Sequence, residues 1–365
     1  MPKFSLVIPT KNRSEILGQT LDHLLLQTFK DFECVVIDND DTGATAESFN
    51  KRKLPSNFRL HRTGGLSMPD NWQTAVEQAG GDYIIILEDK TIIKNNLLAI
   101  LNFIFTSKPD CMCISWRQCV ADFKKIPENF LTLKNPKISE ISCDELIQLV
   151  SSSNWTAFST FAPRGFNCAL NAKFALGSNS VLTSFRLCRP LSPDYSIAFQ
   201  YIAMNNTLVH LADPATIINA AAPSNGLEAH KKGALFKSFL SELGLNEAQS
   251  YESAPSKVFS VHNSLTSDAI RIFKEFPKTK KFQISLPEYY TNISYETVFR
   301  HFLGCDVSAD VEQFQLEIQA LGHELREQTL KYAQDNHIQF CQRWGIPNNY
   351  HPAIDLHLST FFGQI

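Results

Sequence analysis

Short apolar runs alternate with amphipathic segments along the first part of the chain. Apolar runs at 33–38, 58–62 and 82–87 predict strands, as does the opening run that reaches Thr10. A helix with Ser14 as its predicted N-cap follows the opening strand. Its apolar positions share one face at helical spacing: Leu17, Leu21, Leu24 and Leu25. This alternation is typical of βα units and predicts an α/β domain.

Further elements are predicted up to about residue 226. Ser67-Met68-Pro69-Asp70 has capping-box spacing and starts a predicted helix that stops at Gly80-Gly81. The pattern loosens over 118–190, as is typical of an insertion shaped by its substrate. The helix that follows Ser67–Asp70 is predicted over 71–79. The remaining predictions are helices at 97–105 and 192–204, strands at 110–116 and 208–211, and a turn at 223–226.

Beyond Gly226 the pattern changes to helical segments that are separated by loops, so we predict two domains, 1–226 and 227–365. One predicted helix in the second domain carries a heptad-like apolar seam. We expect this seam to pack on the first domain, with homodimerisation as the alternative. Its members are Val311, Phe314, Ile318, Leu321 and Leu325.

Composition narrows the class of protein. The chain has 34 basic and 37 acidic side chains and a net charge of −3, which argues against an electrostatic nucleic-acid binder. The odd count of nine cysteines favours reduced thiols. Met1-Pro2-Lys3-Phe4 leads straight into a strand, and the longest apolar stretch is far shorter than the roughly 20 residues of a membrane span. We expect a cytoplasmic protein, either in solution or held peripherally at the inner face of the membrane.

Polar side chains follow three of the predicted strands. Asp38-Asn39-Asp40 and Glu88-Asp89 end two of them, and the opening strand ends in Pro9-Thr10-Lys11-Asn12-Arg13. A parallel sheet brings such strand ends to one edge, where ligands bind, so a nucleotide-diphosphate site is predicted. The opening loop has no glycine, which argues against a dinucleotide dehydrogenase and against a nucleotidyltransferase.

Six short motifs, in this order and spacing, resemble those of inverting family 2 glycosyltransferases of the GT-A fold. The resemblance covers about 4–226, and the rest of the chain has no recognised counterpart. It implies a Rossmann-like mixed sheet flanked by helices, followed by a mainly helical region. The motifs are Val7-Ile8-Pro9-Thr10-Lys11-Asn12-Arg13, Val36-Ile37-Asp38-Asn39, Asp70-Asn71-Trp72, Gly81-Asp82-Tyr83-Ile84, Leu87-Glu88-Asp89 and Ser192-Pro193-Asp194-Tyr195.

The resemblance implies a role for each matching position. Pro9 and Thr10 would border the nucleobase, Arg13 would lie near the phosphates, and Asp38 would accept a hydrogen bond from the base. Asn71 would position the loop that holds the donor. Glu88 and Asp89 would hold the ribose and a Mn²⁺ or Mg²⁺ ion that bridges the diphosphate. Asp194 would be the catalytic base, and His230 a further contact to the diphosphate or the metal.

The chemistry asks for the same residue types independently. A departing nucleoside diphosphate needs a nearby cation, either a metal or a side chain. Inversion needs a carboxylate that deprotonates the acceptor hydroxyl. Ser-Pro-Asp is also an ordinary helix start, so Asp194 could be a base, a helix cap or both. Asp38 could simply cap the turn after its strand, but its place beside Asn39 and Asp40 at the expected edge favours a functional role. Arg164 and Arg186 could bind the diphosphate or an acidic acceptor, but solvated surface arginines are the expected outcome.

Lys90 departs from the resemblance, because many relatives continue the acidic run at this position. Three explanations are open: Lys90 offsets the diphosphate charge and makes a metal dispensable, Asp89 binds a metal while Lys90 points away, or the site has decayed. The predicted function is transfer of a sugar from a nucleotide-sugar donor to a hydroxyl of a glycan or glycolipid acceptor. The alternative is a degenerate, non-catalytic module that binds a nucleotide or a glycan.

Overall fold

The structure is a computed structural model that describes residues 1–178, 185–220, 225–276 and 281–348. Among these residues, 1–146 and 159–220 form one compact unit, and 147–158 with 225–348 form the other. We call them the first and the second unit.

The first unit is built on a mixed sheet, as the α/β prediction requires. The order of its strands is β3-β2-β1-β4-β8-β6-β9-β5, and β7 also pairs with β9. The pairs β1–β2, β2–β3, β1–β4 and β6–β9 are parallel, whereas β8 runs antiparallel to β4 and β6. The strands are β1 (Phe4–Thr10), β2 (Phe32–Asp38), β3 (Phe58–Arg62), β4 (Tyr83–Ile86), β5 (Thr91–Ile93), β6 (Cys113–Ala121), β7 (Ile138–Ser142), β8 (Cys168–Asn171) and β9 (Thr207–Asn219).

Helices pack on this sheet and make up most of the second unit. Residues 123–125, 128–131 and 248–251 form short 3₁₀ turns. The helices are α1 (Ser14–Leu24), α2 (Ala44–Asn50), α3 (Met68–Glu77), α4 (Leu97–Ser107), α5 (Cys143–Ser151), α6 (Trp155–Phe161), α7 (Ala172–Ala175), α8 (Pro193–Met204), α9 (Asn225–His230), α10 (Ala234–Glu242), α11 (Val261–Glu275), α12 (Leu286–Phe302), α13 (Ser308–Ala320), α14 (His323–Asp335) and α15 (His337–Trp344).

The core of the first unit explains why the opening apolar runs form central strands. Every residue of β1 and β4 is buried, as expected for strands covered on both faces. Alternate side chains of β1 share one core cluster with apolar positions of α1 and α4, while α3 also packs against β1, β2 and β4. The cluster includes Phe4, Leu6, Ile8, Leu17, Leu21, Leu97, Leu101 and Phe105.

The predicted N-cap of α3 is confirmed, and the predicted N-cap of α1 is wrong. The Ser67 hydroxyl accepts a hydrogen bond from the Asp70 N–H at 3.3 Å, so Ser67 is the N-cap of α3, with Pro69 in its first turn. Ser14, by contrast, is already the first residue of α1, and Arg13 occupies the N-cap position. Leu25 follows the end of α1 and is 37% exposed, so the buried face ends at Leu24.

The strands beyond residue 110 are displaced from, or longer than, their predictions. The strand predicted at 110–116 is β6, which extends to Ala121, and the strand predicted at 208–211 is the first part of β9, which extends to Asn219. Pro214 interrupts the apolar pattern of β9 and conceals its length. The β6–β9 register shifts around Arg117, opposite Pro214, and this irregularity lets the strand continue past the proline.

The second unit has its own apolar core around α12, a helix that is buried on most of its surface. Arg300 of α12 is completely buried and joins three segments. Its Nη1 donates to the Phe259 carbonyl at 2.8 Å and to Asp310 Oδ2 at 2.7 Å, and its Nε donates to the His230 carbonyl at 3.1 Å. These bonds satisfy most of the donors of a guanidinium that would otherwise be costly to bury.

The apolar seam predicted on one helix is divided between two. Val311, Phe314 and Ile318 lie on α13, where they are buried in a core cluster of the second unit with Tyr289 and Ile293 of α12. The helix ends before Leu321, whose backbone is extended, and Leu325 belongs to α14. The buried part of the seam therefore packs within its own unit.

The turn predicted at 223–226 lies partly outside the described residues, and Asn225 already begins α9. Within the described ranges, no helix combines the length and the apolar character that crossing a membrane requires.

Candidate functional site

The parallel strands β1, β2 and β4 end at one edge of the sheet. In the β1–β2 register, Pro9 lies opposite Ile37 and Thr10 lies opposite Asp38. On the other side of β1, the Leu87 N–H donates to the Val7 carbonyl at 2.8 Å, immediately before the acidic turn. The topology thus brings the predicted residues that follow these strands to one place, as expected for a parallel sheet.

Asp89 is held at this edge by groups from β1 and α1. The Thr10 hydroxyl donates to its Oδ2 at 2.8 Å, and Arg13 Nη1 lies 3.3 Å from its Oδ1. The Thr20 hydroxyl donates to the Asp89 carbonyl at 2.8 Å. Burial raises the pKa of Asp89, and the neighbouring Arg13, Thr10 and Lys90 act in the opposite direction. The carboxyl is therefore a fixed part of the site rather than part of a solvated turn.

Asp38 is completely buried beside the end of β1. Its Oδ1 accepts the Asp40 N–H at 3.0 Å, a local turn of the kind that Asp residues favour. Arg62 Nε lies 3.2 Å from its Oδ2, as an ion pair without hydrogen-bond alignment. Burial raises the pKa of Asp38, which the Asp40 N–H and the charge of Arg62 partly oppose. Asp38 thus supports a turn, and one of its oxygens has no aligned donor within the described residues.

Two asparagines brace the loop that follows β3. Asn39 Nδ2 donates to the Leu66 carbonyl at 2.7 Å, while its Oδ1 accepts the Leu66 N–H at 2.9 Å. The Thr63 hydroxyl donates to Oδ1 of Asn71, a residue that is only 4% exposed. Asn71 therefore supports the loop at 63–66 from α3. The bracing role of Asn39 was not predicted, although an Asn directly after a strand is a recognisable signal for such a turn.

Glu88 lies among charges of both signs. Lys90 Nζ is 3.8 Å from Glu88 Oε1, and the Lys90 side chain is only 12% exposed. The pKa of Glu88 is raised chiefly by burial and additionally by the charges of Asp89 and Asp194, whereas Lys90 and Arg164 lower it. Arg164, which precedes β8, and Asp194, in the first turn of α8, thus act electrostatically on the acidic turn, although both are far from it in the sequence.

Arg164 is half-buried, in contrast to the solvated surface arginine that was expected. Its guanidinium carbon lies 4.8 Å from the Phe166 ring centroid and 5.3 Å from that of Tyr195. Gly165 shapes this turn with a φ of +75°, and a Cβ on it would lie 2.9 Å from Ile197 Cδ1. Side-chain packing on both sides therefore fixes the arginine.

Asp194 lies in the first turn of α8, where the helix dipole favours a negative charge. It is half-buried. The start of this helix is anchored by Ser196, whose hydroxyl donates to the Pro193 and Leu187 carbonyls at 2.8 and 3.0 Å. Gln200 Nε2 adds a bond to the Leu187 carbonyl at 2.8 Å. The carboxyl group thus projects from a firmly held helix end.

The segment before α8 is also tied to α3. Arg186 Nη2 lies 2.6 Å from Asp70 Oδ1, in place of the purely solvated position expected for this arginine. Gln73 Oε1 accepts the N–H groups of Leu187 and Cys188 at 3.1 and 3.0 Å. Asp70 and Gln73 therefore connect the helix that follows β3 to the segment that carries Asp194.

His230 belongs to the second unit. Its Nδ1 lies 3.0 Å from Oε1 of Glu296, a completely buried carboxyl group. Its ring packs edge-on against Phe299 and Trp344. Its suggested contact with a metal or a diphosphate stays a prediction.

Both carboxylates of the acidic turn lie beside a cationic side chain of the protein. Hard divalent ions prefer carboxylate oxygens. Both oxygens of Asp89 already accept from Thr10 and Arg13, and Glu88 faces the Lys90 ammonium. In the part of the chain that the structure describes, no group of three or more His, Cys, Asp and Glu side chains is placed to hold a metal ion.

Residues 5–166 match the family model described as glycosyl transferase family 2. The GalNAc(5)-diNAcBac-PP-undecaprenol β-1,3-glucosyltransferase of Campylobacter jejuni is 28% identical over 104 residues, which are 28% of this chain and 34% of that protein. The poly(ribitol-phosphate) β-N-acetylglucosaminyltransferase TarS of Staphylococcus aureus is 26% identical over 146 residues, 38% of this chain and 25% of that one. The matched part thus spans only about a third and a quarter of these relatives.

The fold is similar to that of a solved structure. A crystal structure of S. aureus TarS residues 1–349, described as a complex with UDP-GlcNAc, superposes with a TM-score of 0.51 at 14% identity. The superposition covers 98% of this chain and 92% of that one. The GT-A fold that the resemblance implied is confirmed by this similarity and by the family match.

Proposed function

Because residues 5–166 belong to glycosyl transferase family 2, we propose that this chain transfers a sugar from a nucleoside-diphosphate donor to a hydroxyl of a glycan or glycolipid. One observation carries the proposal beyond the family. The hydrogen bond from Thr10 to Asp89, with Arg13 on the other carboxylate oxygen, joins two family motifs at the edge of the sheet where a nucleotide would bind.

The donor lies across the ends of β1, β2 and β4 in this proposal. The base lies beside Pro9 and Thr10, next to Asp38, which is opposite Thr10 in the β1–β2 register. The phosphates lie near Arg13, whose side chain is 27% exposed and therefore accessible to a ligand. Asn71 contributes indirectly, since it braces the loop at 63–66 through Thr63.

Asp194 is the proposed catalytic base. Its carboxylate takes the proton of the acceptor hydroxyl as that oxygen bonds to the anomeric carbon. The bond from this carbon to the diphosphate breaks, its electron pair leaves with the diphosphate oxygen, and the configuration inverts. The electrostatic influence of Asp194 on Glu88 supports a location beside the acidic turn. The anchoring of α8 by Ser196 supports a rigidly held base.

The relatives support the choice of acceptor class. The name of the C. jejuni relative refers to an undecaprenol-linked saccharide, and that of TarS refers to a poly(ribitol-phosphate). A glycan or glycolipid acceptor follows by similarity. A lipid-linked acceptor would bring the chain to the membrane surface, so peripheral association at the inner face belongs to the same proposal.

A non-catalytic nucleotide- or glycan-binding module is the second candidate, and Lys90 in the acidic turn favours it. Two measurements separate the candidates. Thermal unfolding is followed with UDP, GDP and CDP, since a bound ligand raises the apparent stability. Nucleotide-sugar donors of the stabilising nucleotide are then assayed for hydrolysis and for transfer. We expect stabilisation and release of the nucleoside diphosphate. Binding without turnover would favour the module, and no binding would contradict a nucleotide site at this edge.

A further inference from the structure

We propose that this site neutralises the diphosphate of its donor with its own cations, Lys90 and Arg13, and binds the donor without a divalent metal. The inference rests on the proposed function and concerns the same edge of the sheet. Of the three explanations for Lys90, it adopts the one in which Lys90 offsets the diphosphate charge and makes a metal dispensable.

The carboxylates of the acidic turn already have partners within the protein. Asp89 is 4% exposed, and its two oxygens accept from Thr10 at 2.8 Å and face Arg13 at 3.3 Å. A metal ion at Asp89 would share these oxygens with Thr10 and would lie close to the positive charge of Arg13. Glu88, the other acid of the turn, has Lys90 Nζ 3.8 Å from its Oε1. Both acids of the turn therefore already lie beside a cation of the protein.

Lys90 holds a fixed position in the acidic turn. Its backbone is fixed between β4 and β5, since its carbonyl accepts the Asn219 N–H at 2.9 Å. The Lys90 side chain is 12% exposed, and its ammonium lies 3.8 Å from Glu88 Oε1. A divalent ion at this turn would experience repulsion from this charge at short range. An ammonium, by contrast, supplies three donors and a compact positive charge, which suits a phosphate oxygen.

Arg13 is the second cation of the site. It stands at the N-cap position of α1, and its guanidinium is close to Asp89 while 27% of the side chain remains exposed. An arginine in this position can keep its ion pair with Asp89 and still donate to a phosphate, because the guanidinium has five N–H donors. The two cations, one after β1 and one after β4, together supply the positive charge that a departing diphosphate requires.

The test compares nucleotide binding with and without metal. Calorimetric titrations with UDP, GDP and CDP are carried out in EDTA and in MnCl₂ on the full chain and on three variants, Lys90→Met, Lys90→Arg and Lys90→Asp. We expect the wild-type affinity to agree within about twofold between the two conditions. Lys90→Met should weaken binding by about tenfold in both, and Lys90→Arg should retain most of the affinity, because a charge-assisted contact is lost only in the first.

Lys90→Asp should make nucleotide binding depend on a divalent metal. It replaces the ammonium by a carboxylate beside Glu88 and Asp89, so binding should be weak in EDTA and should recover by about tenfold or more in MnCl₂. Electron paramagnetic resonance of Mn²⁺ should show protein-bound metal with this variant and nucleotide, and none with the wild type.

Each outcome decides between the two proposals. Wild-type binding that needs Mn²⁺ would overturn the metal-free inference and leave the proposed function standing. Failure of all three nucleotides under both conditions would overturn the proposed function and the inference with it. The wild-type comparison needs no substitution, so a variant that fails to fold does not affect it.

Discussion

The hydroxyl of Thr10 donates to Oδ2 of Asp89 at 2.8 Å, across 79 positions of sequence. Thr10 also lies opposite Asp38 in the β1–β2 register. The last residue of the first strand is therefore the point at which the two predicted acidic stretches meet. The edge of the sheet depends on it as much as on the acids themselves.

Thr10→Val removes this hydroxyl while it keeps the branched shape that suits a strand. The buried carboxylate oxygen of Asp89 then loses its donor, which should cost about 1–3 kcal/mol of the free energy of unfolding. Affinity for the nucleotide should fall as well, since Asp89 is no longer held in place. Thr10→Ser keeps the hydroxyl and serves as the control. Urea denaturation and nucleotide titration measure both effects, and equal behaviour of the two variants would show that the bond is unimportant.

Asp194→Asn tests the proposed base. The amide retains the size of the side chain and the helix start, but it cannot accept the proton of the acceptor. Transfer should fall by about 10²-fold or more, with nucleotide affinity unchanged. Asp144→Asn is a matched control, because Asp144 is an exposed acid in the first turn of α5. A fully active Asp194→Asn enzyme would mean that another group is the base.

The pH dependence of stability should carry opposite signs for Glu88 and Glu33. The pKa of Glu88 is raised, chiefly by burial, so the folded state binds more protons than the unfolded state and stability falls as pH rises from about 4.5. Burial alone would raise the pKa of Glu33 too, but hydrogen bonds from Ser5 and the Gly80 N–H, together with Arg59, lower it overall. Its contribution is present above pH 4.5 and is lost as pH falls.

Urea denaturation between about pH 4 and pH 8 measures these contributions as differences from Glu88→Gln and Glu33→Gln. The advantage of wild type over Glu88→Gln should shrink as pH rises. Its advantage over Glu33→Gln should grow. If the stability advantage of wild type over Glu88→Gln and over Glu33→Gln changed in the same direction with pH, the burial argument for Glu88 would be contradicted.

Gly165→Ala should be more destabilising than Gly64→Ala. Both glycines have positive φ, +75° and +69°, so each alanine should cost about 1–2 kcal/mol from the backbone alone. A Cβ at Gly64 would have no neighbouring atom within 4 Å, whereas a Cβ at Gly165 would lie 2.9 Å from Ile197 Cδ1. The additional cost at Gly165, about 1 kcal/mol or more, measures how tightly the turn that carries Arg164 is packed. If both variants lost the same free energy of unfolding in urea denaturation, the turn that carries Arg164 would not be tightly packed.

The order of the elements in the first unit could be predicted because local signals agree there. The buried strands β1, β2 and β4 are continuous apolar runs, and the Ser67 cap and Pro69 mark the start of α3. Ser14 shows the limit of such signals. It has a good capping side chain, yet the chain already becomes helical at Ser14, after Arg13.

Other features depend on distant contacts that no local pattern contains. β9 continues beyond Pro214 because β6 shifts its register beside it. The heptad-like seam crosses a helix end at Leu321, since spacing alone does not show where a backbone turns extended. The burial of Arg164 follows from Phe166 and Tyr195, and the ion pair of Arg186 joins it to Asp70, which is 116 positions away.

The most direct test of the account is a crystal structure of the chain with the nucleoside diphosphate that stabilises it most in the thermal screen. The account predicts the base beside Pro9 and Asp38, the diphosphate against Arg13 and Lys90, and the Asp194 carboxylate facing the position of the anomeric carbon. A nucleotide bound elsewhere, with its diphosphate remote from these side chains, would contradict it.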